Sequence, residues 1–146
     1  MSSDGPEARK HEEESVLDAS ALLAYLQDEP GADLVEDALS VGCRMSAVNW
    51  AEVLSKTTDL GRGGTEIVAE LTERGLLGQT LGIVPFGEED APGVAALRPR
   101  TRQLGLSLGD RACLALGQRL RLPVLTADGD WHQLAEELEL EITVIR

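Results

Sequence analysis

The chain has 146 residues, 42% of them hydrophobic, and a formal net charge of −13 at pH 7, which fits one domain with a sizeable buried core. The charge argues against general binding to nucleic acids or anionic membranes, because affinity for phosphates comes mostly from Lys and Arg. No apolar run reaches the roughly 20 residues that a bilayer requires, and no signal segment begins the chain, so we expect a soluble protein of the cytoplasm.

The predicted elements alternate between strands and helices. Residues 1–14 carry five acids and no hydrophobic periodicity, which predicts a disordered acidic tail before a single domain over 15–146. Apolar runs bounded by Gly, Pro and polar residues give the elements. The strands are predicted, in order, at 15–18, 43–47, 80–86, 122–127 and 141–146, and the helices at 19–29, 32–41, 48–60, 64–75, 88–103 (broken by Pro92 and Pro99), 109–120 and 130–138.

Acidic residues mark one edge of this predicted fold. Strands that are apolar on both faces and alternate with helices indicate the α/β class, with a central parallel sheet of about five strands flanked by helices. Ligands of such sheets bind beyond the carboxyl ends of the strands. Asp18 ends the first strand, Asp128 and Asp130 follow the fourth, Glu52 lies in the helix after the second, and Asp110 begins the helix before the fourth. These five carboxylates are predicted to converge.

Each acid also has a purely structural interpretation. Asp18 suits the N-cap of the following helix, and Asp110 suits a capping box that begins at Ser107. Asp128 precedes Gly and so fits an ordinary turn, while Glu52 fits a solvated helix face. The sequence leaves these alternatives open.

Several other residues are predicted to lie in the core or beside the acids at the carboxyl edge of the sheet. Cys43 and Cys113 have no nearby Cys or His partner, so we expect small buried hydrophobic residues there and no disulfide or zinc site. Trp50 and Trp131 are predicted to pack in the core. Polar groups that would neighbour the acids are, in decreasing order of interest, Thr126 and Ser20, then Asn49 and Ser46.

Three stretches together resemble a known family: SVLDASALLAYL (15–26), SAVNWAEVL (46–54) and LSLGDRACLALGQRLRLPVLTADGDW (106–131). They are similar to the signature blocks of PIN-domain ribonucleases, specifically VapC-like toxins of bacterial type II toxin-antitoxin modules. The resemblance implies that Asp18, Glu52, Asp110 and Asp128 form an acidic quartet. Asp130 falls at a position where the family varies, and we expect it to be an auxiliary ligand or to support one. It also implies a cognate antitoxin and a homodimer. The acidic tail departs from the usual start of this family.

The chemistry of the acidic quartet agrees with this resemblance. Clustered carboxylates repel one another, and a hard divalent cation such as Mg²⁺ or Mn²⁺ relieves that repulsion. His11 and His132 do not form a pair, so a metal-activated water is the predicted nucleophile for phosphodiester hydrolysis. We therefore expect a metal-dependent endoribonuclease in which the three aspartates hold the metal. Glu52 is expected to complete the metal shell or to orient the water.

A local basic window accompanies these acids. Residues 98–121 hold six arginines and one acid, a charge of +5 that leaves −18 for the rest of the chain. The window is predicted to hold the RNA backbone, with Arg111 and Arg102 as the candidates and the hydroxyls of Ser20 and Thr126 beside them. The alternative is that these arginines are solvated or paired with acids of the same surface.

Two other functions remain as alternatives. A non-catalytic PIN-like module would keep the acids for binding a metal or a partner, and loss of a quartet member would mark it, but none is lost. A phosphoacceptor receiver-type domain also collects acids at strand ends, but it needs a lysine after the last strands. The lysines of this chain are Lys10 and Lys56. No glycine-rich phosphate-binding motif is present.

Overall fold

A computed structural model describes residues 13–146 and contains one five-stranded, wholly parallel sheet. The strand order is β3-β2-β1-β4-β5, so the α/β class and the parallel sheet of about five strands are confirmed. Helices cover both faces of the sheet, which buries every residue of the first and fourth of its five strands. They are β1 (Ser15–Leu17), β2 (Cys43–Ser46), β3 (Leu81–Val84), β4 (Val124–Thr126) and β5 (Ile142–Val144).

Eight α-helices lie within the described residues. The second has the predicted bounds, whereas the first ends three residues early, at Leu26. The helices are α1 (Ala19–Leu26), α2 (Ala32–Val41), α3 (Ala47–Asp59), α4 (Gly64–Glu73), α5 (Ala91–Ala96), α6 (Arg98–Thr101), α7 (Leu108–Leu120) and α8 (Ala135–Leu138). Short 3-10 segments occur at Glu88–Asp90, Arg102–Leu104 and Gly129–Leu134.

The helical region before α7 differs from the prediction in the role of its prolines. Pro92 and Pro99 were expected to break a helix from within, but each lies in the first turn of a separate helix, α5 or α6. A proline is tolerated there because the first-turn N–H groups have no partner within the helix. The helix predicted over 130–138 is also divided, into a 3-10 segment followed by α8.

Two apolar cores lie on the two faces of the sheet. Successive residues of a strand point to opposite faces, so Val16 joins the cluster formed with α7 and α8, while Leu17 joins the cluster formed with α1 to α4. Trp131 is buried in the first of these clusters, as predicted. Cys43 and Cys113 are buried and free, also as predicted.

The predicted acidic tail, residues 1–14, lies outside the described residues apart from Glu13 and Glu14. Glu14 forms an ion pair with Arg44 on β2, with 3.1 Å between Oε1 and Nε. In the part of the chain that the structure describes, no helix has the length and apolar character needed to cross a bilayer.

The sheet topology creates a crevice at one position. The chain runs outward from β1 to β2 and β3, and then crosses to the other side of β1 to form β4 and β5. Parallel α/β sheets bind ligands where this direction reverses, beyond the carboxyl ends of the strands. Here that position lies between β1 and β4. Leu17 pairs with Leu125, so Asp18 and Thr126 are the next residues in line.

Candidate functional site

Asp18 is held at the carboxyl end of β1 by three donors. Its Oδ1 accepts hydrogen bonds from the Ala21 backbone N–H and the Ser20 hydroxyl, both at 2.8 Å. Its Oδ2 accepts a bond from the Thr126 hydroxyl at 2.5 Å. The bond from Ala21 makes Asp18 the N-cap of α1. The residue therefore fills its structural role and also places a carboxylate at the crevice.

The Asp18 carboxylate is only 4% exposed, and this burial has an electrostatic cost. Loss of solvation raises the pKa of Asp18 to about 6, although the bonds from Thr126, Ala21 and Ser20 act in the opposite direction. The negative charge of Asp110 raises the pKa further. Among residues 13–146, no Lys, Arg or His forms an ion pair with Asp18. Its negative charge is therefore solvated by dipoles and left without a compensating cation.

Two hydroxyls connect Asp18 to the loop after β4. The Thr126 hydroxyl, which donates to Asp18, accepts the backbone N–H of Asp128 at 3.0 Å. The Ser20 hydroxyl accepts the backbone N–H of Ala127 at 2.9 Å. These bonds fix the start of the loop against α1, and so they fix the position of Asp128 relative to Asp18.

Asp128 contributes its side chain to the loop after β4, whereas Asp130 contributes its backbone. Oδ1 of Asp128 accepts the backbone N–H of Asp130 at 2.9 Å and so caps the 3-10 segment that follows. The turn that the sequence suggested is therefore present. Asp130 is exposed, and only its backbone takes part in this contact.

Asp110 and Glu52 meet where α3 contacts the beginning of α7. Ser107 and Asp110 form the capping box suggested by the sequence, with bonds of 3.1 Å to the Ser107 hydroxyl and 3.0 Å to the Asp110 carboxylate. Nδ2 of Asn49 donates to the Gly109 carbonyl at 2.9 Å and docks α3 on this turn. A methyl group at Gly109 would lie 3.1 Å from Oε1 of Glu52. Glu52 therefore lies beside the turn that carries Asp110.

The buried thiol of Cys113 shows how three carboxylates converge. Burial raises the pKa of Cys113 well above its usual value, and the negative charges of Asp18, Asp110 and Glu52 raise it further. These acids come from three separate segments, yet all act on one thiol. Within residues 13–146, no three or more Asp, Glu, His or Cys side chains stand close enough together to hold a metal as placed. Asp18, Asp110 and Glu52 are therefore neighbours in the fold, but among the described residues they do not form a metal-binding cluster with one another or with Asp128.

The six arginines of the basic window do not form one exposed surface. Arg100 pairs with Glu137, and Arg119 pairs with Asp90, each at 3.5 Å. For these two, the ion-pair interpretation is correct. Arg111, expected at the surface, is 7% exposed.

Sequence reasoning underestimated one polar residue of the site. Asn49 was a weak candidate beside Ser46, but its side chain is buried and joins α3 to α7. It precedes Glu52 by three positions, and residues three apart lie on the same side of a helix. This spacing was the feature of the sequence that could have identified Asn49 as part of the site. Ser46 proves to be the N-cap of α3, where its hydroxyl accepts the Val48 N–H at 3.2 Å.

The fold and the site define a class of protein: a parallel α/β domain with an acidic crevice where the strand order reverses. The family model described as "PIN domain" matches residues 15–137, and the chain therefore belongs to the PIN domain family. No curated protein matches the chain.

Solved structures share this fold over nearly the whole chain. One is a toxin-antitoxin complex from Klebsiella pneumoniae, with 19% identity, a TM-score of 0.67, and coverage of 90% of this chain and 98% of that one. Another is FitAcB from Neisseria gonorrhoeae, with 22% identity, a TM-score of 0.61, and coverage of 88% and 95%. A third is VapBC-1 from nontypeable Haemophilus influenzae, with 14% identity, a TM-score of 0.63, and coverage of 90% and 97%. At these identities, the likeness establishes the fold.

Proposed function

We propose that this PIN-domain protein is a metal-dependent endoribonuclease and the toxin of a type II toxin-antitoxin pair. The observation that carries the proposal is the buried, uncompensated carboxylate of Asp18, which shares its crevice with Asp110 and Glu52. Carboxylates gathered without a cationic side chain are stabilised by a bound cation. We also propose the cytoplasmic location that the sequence led us to expect.

The donor set of the quartet fits Mg²⁺ or Mn²⁺. All of its ligands are oxygens, which these hard cations prefer. In residues 13–146, Oδ1 of Asp110 and Oδ2 of Asp128 accept no hydrogen bond from the protein, so both oxygens are open to a ligand. Asp18, Asp110 and Asp128 would hold the cation, with Asp130 in an auxiliary position. When bound, such an ion lowers the pKa of a water and stabilises charge on phosphate oxygens.

The side chains around the quartet prepare this chemistry. Thr126 and Ser20 direct their hydroxyls at Asp18 and so fix the orientation of its carboxylate. Glu52 is half-buried beside Gly109, and from there it would orient the attacking water or complete the metal shell. In both roles its position depends on the contact between α3 and α7.

The antitoxin partner is proposed from the structural neighbours. Solved structures with this fold include a toxin-antitoxin complex and VapBC assemblies, two of them described as bound to DNA. We propose that the cognate antitoxin covers the acidic crevice with a basic residue, and that the chain forms a homodimer. Large apolar side chains that are partly exposed, such as Leu34 and Val41 on α2, support protein contacts of this kind.

The direct test is cleavage of a pool of structured RNAs by purified, antitoxin-free protein. We expect discrete products with Mg²⁺ or Mn²⁺, and none with EDTA or in the Asp18→Asn and Asp110→Asn variants. Asp59→Asn is the matched control, because it removes an exposed carboxylate at the end of α3, outside the quartet. It should cleave like the wild type.

Two outcomes would contradict the proposal. Cleavage that survives EDTA or both quartet substitutions would show that the acids are not responsible. Metal binding without cleavage of any RNA in the pool would favour the alternative, a non-catalytic PIN-like module that binds a metal or a partner.

A further inference from the structure

A cavity of about 330 Å³ lies between α6, the 3-10 segment after it and the beginning of α7. Arg98, Arg102 and Arg111 line it together with Ser107. Among the described residues, none that lines this space is acidic. Three guanidinium-bearing residues therefore border one space, and we call this space the arginine cavity.

Within residues 13–146, the cavity arginines differ from Arg100 and Arg119 in having no anionic partner. Arg100, which lies between Arg98 and Arg102 in sequence, pairs with Glu137. Within residues 13–146, neither Arg98 nor Arg102 forms an ion pair. Arg98 and Arg102 are exposed, and on a chain with a net charge of −13 they form a local basic surface that an anionic ligand would complement.

Arg111 gives independent evidence for such a ligand. It is only 7% exposed, and its Nη1 donates to the Val94 carbonyl at 3.1 Å. Its Nε is buried and, within residues 13–146, has no acceptor. Buried charged groups are normally paired, because desolvation is costly. Among the described residues, this buried guanidinium has one neutral acceptor and no counter-charge, and it lines a basic cavity.

The arginine cavity directly adjoins the acidic quartet. Ser107 lines the cavity, and its backbone N–H donates to the Asp110 carboxylate. Arg111 follows Asp110 in the same helical turn. The acids that would act on one phosphate of an RNA repel the rest of its backbone, so a basic cavity at this distance would offset that repulsion.

We infer that the arginine cavity binds a backbone phosphate of the RNA, next to the phosphate at the quartet. This inference rests on the proposed function and identifies how its substrate is held. Guanidinium forks bind the paired oxygens of phosphates and carboxylates, and the RNA backbone of the proposed substrate supplies such phosphates next to the quartet. The Ser107 hydroxyl accepts from the Asp110 N–H and keeps its own proton free to donate.

The test compares Arg98 and Arg102, which line the cavity, with Arg100, which lies between them in sequence and pairs with Glu137. A fluorescent single-stranded RNA of ten nucleotides is titrated with the full chain in EDTA, so that binding is measured by anisotropy without cleavage. Arg98→Ala and Arg102→Ala should each weaken binding about tenfold, as for a lost charged hydrogen bond, and the double variant should weaken it further. Arg100→Ala carries the same charge loss outside the cavity and should stay within about twofold of the wild type. Substitution of buried Arg111 also tests the fold, so it is not used.

The outcomes separate this inference from the proposed function. If the double variant binds RNA as well as Arg100→Ala does, or if the wild type does not bind, the inference is wrong, whatever the cleavage assay shows. If the double variant loses affinity but no metal-dependent cleavage occurs, the cavity stands and the catalytic proposal fails. Where cleavage occurs, the double variant should raise KM far more than it lowers kcat. If binding of a Glu-rich peptide requires these arginines while binding of RNA does not, the inference is overturned in favour of a protein partner.

Discussion

Replacing Asp18 with Asn should stabilise the metal-free protein at neutral pH while abolishing its activity. The reason is the buried charge, since the pKa of Asp18 is raised from 3.8 to about 6, chiefly by desolvation. A shift of about two pH units corresponds to about 3 kcal/mol at pH values above 6. In the variant, the NH2 group of the Asn side chain faces a hydroxyl that donates to the carboxylate in the wild type. This contact of two donors costs about 1 kcal/mol. The net gain is therefore about 2 kcal/mol, or roughly 6 °C in Tm for a domain of this size.

The sign of the pH dependence follows from proton linkage. Between pH 3.8 and about 6, the folded protein holds a proton on Asp18 that the unfolded chain releases, so the free energy of unfolding falls as pH rises. The Asp18→Asn variant has no titrating group at this position and therefore lacks this dependence. The advantage of the variant should be about 2 kcal/mol larger at pH 7.5 than at pH 4.5.

Urea unfolding in EDTA at these two pH values measures the difference. Asp59→Asn, which removes an exposed carboxylate, should show no such gain. Addition of Mg²⁺ should raise the free energy of unfolding of the wild type but not that of Asp18→Asn, because a ligand stabilises only the state that binds it. An Asp18→Asn variant that is less stable than the wild type at pH 7.5, or whose difference does not change with pH, would refute the reasoning.

Two further substitutions test the geometry around the quartet, and a third tests the packing of α7 on β4. Thr126→Val removes the hydroxyl that donates to Asp18. It should lower the cleavage rate at least tenfold and destabilise the fold by about 1–3 kcal/mol. An unchanged cleavage rate would show that activity does not depend on this hydrogen bond. Gly109→Ala would place a methyl group 3.1 Å from Glu52 Oε1, so cleavage should fall while the urea midpoint changes little. Gly117→Ala would bring a methyl group to 2.6 Å from a side chain of β4. Thermal unfolding should show that the free energy of unfolding falls by about 1–3 kcal/mol, because the core is overpacked. An unchanged free energy of unfolding would argue against this close contact.

The sequence predicted the parts of the site that depend on strand direction. Parallel strands end at one edge, so the residues at the ends of β1 and β4 had to lie near each other, and the Thr126 hydroxyl bonds both the Asp18 carboxylate and the Asp128 backbone N–H. The capping box of Asp110 was visible because it depends on local spacing. The structure shows that such a cap and a place at the crevice are compatible roles for one carboxylate.

The features that escaped prediction depend on contacts between distant segments. Arg111 is buried because its guanidinium reaches the Val94 carbonyl, 17 residues away on α5, and no local pattern encodes that contact. Asn49 is important because α3 packs on the start of α7, at Gly109. Charge alone grouped Arg100 with the cavity arginines, whereas tertiary packing pairs it with Glu137.

Titration of Mn²⁺ into the metal-free protein by calorimetry tests the central claim most directly, because it examines the carboxylates without requiring knowledge of the RNA. We predict saturable binding to the wild type and to Asp59→Asn, and its loss in Asp18→Asn and in Asp110→Asn. Binding to the wild type should also weaken as pH falls below about 6, where Asp18 takes up a proton. Equal Mn²⁺ binding by the wild type and the two quartet variants would contradict the account.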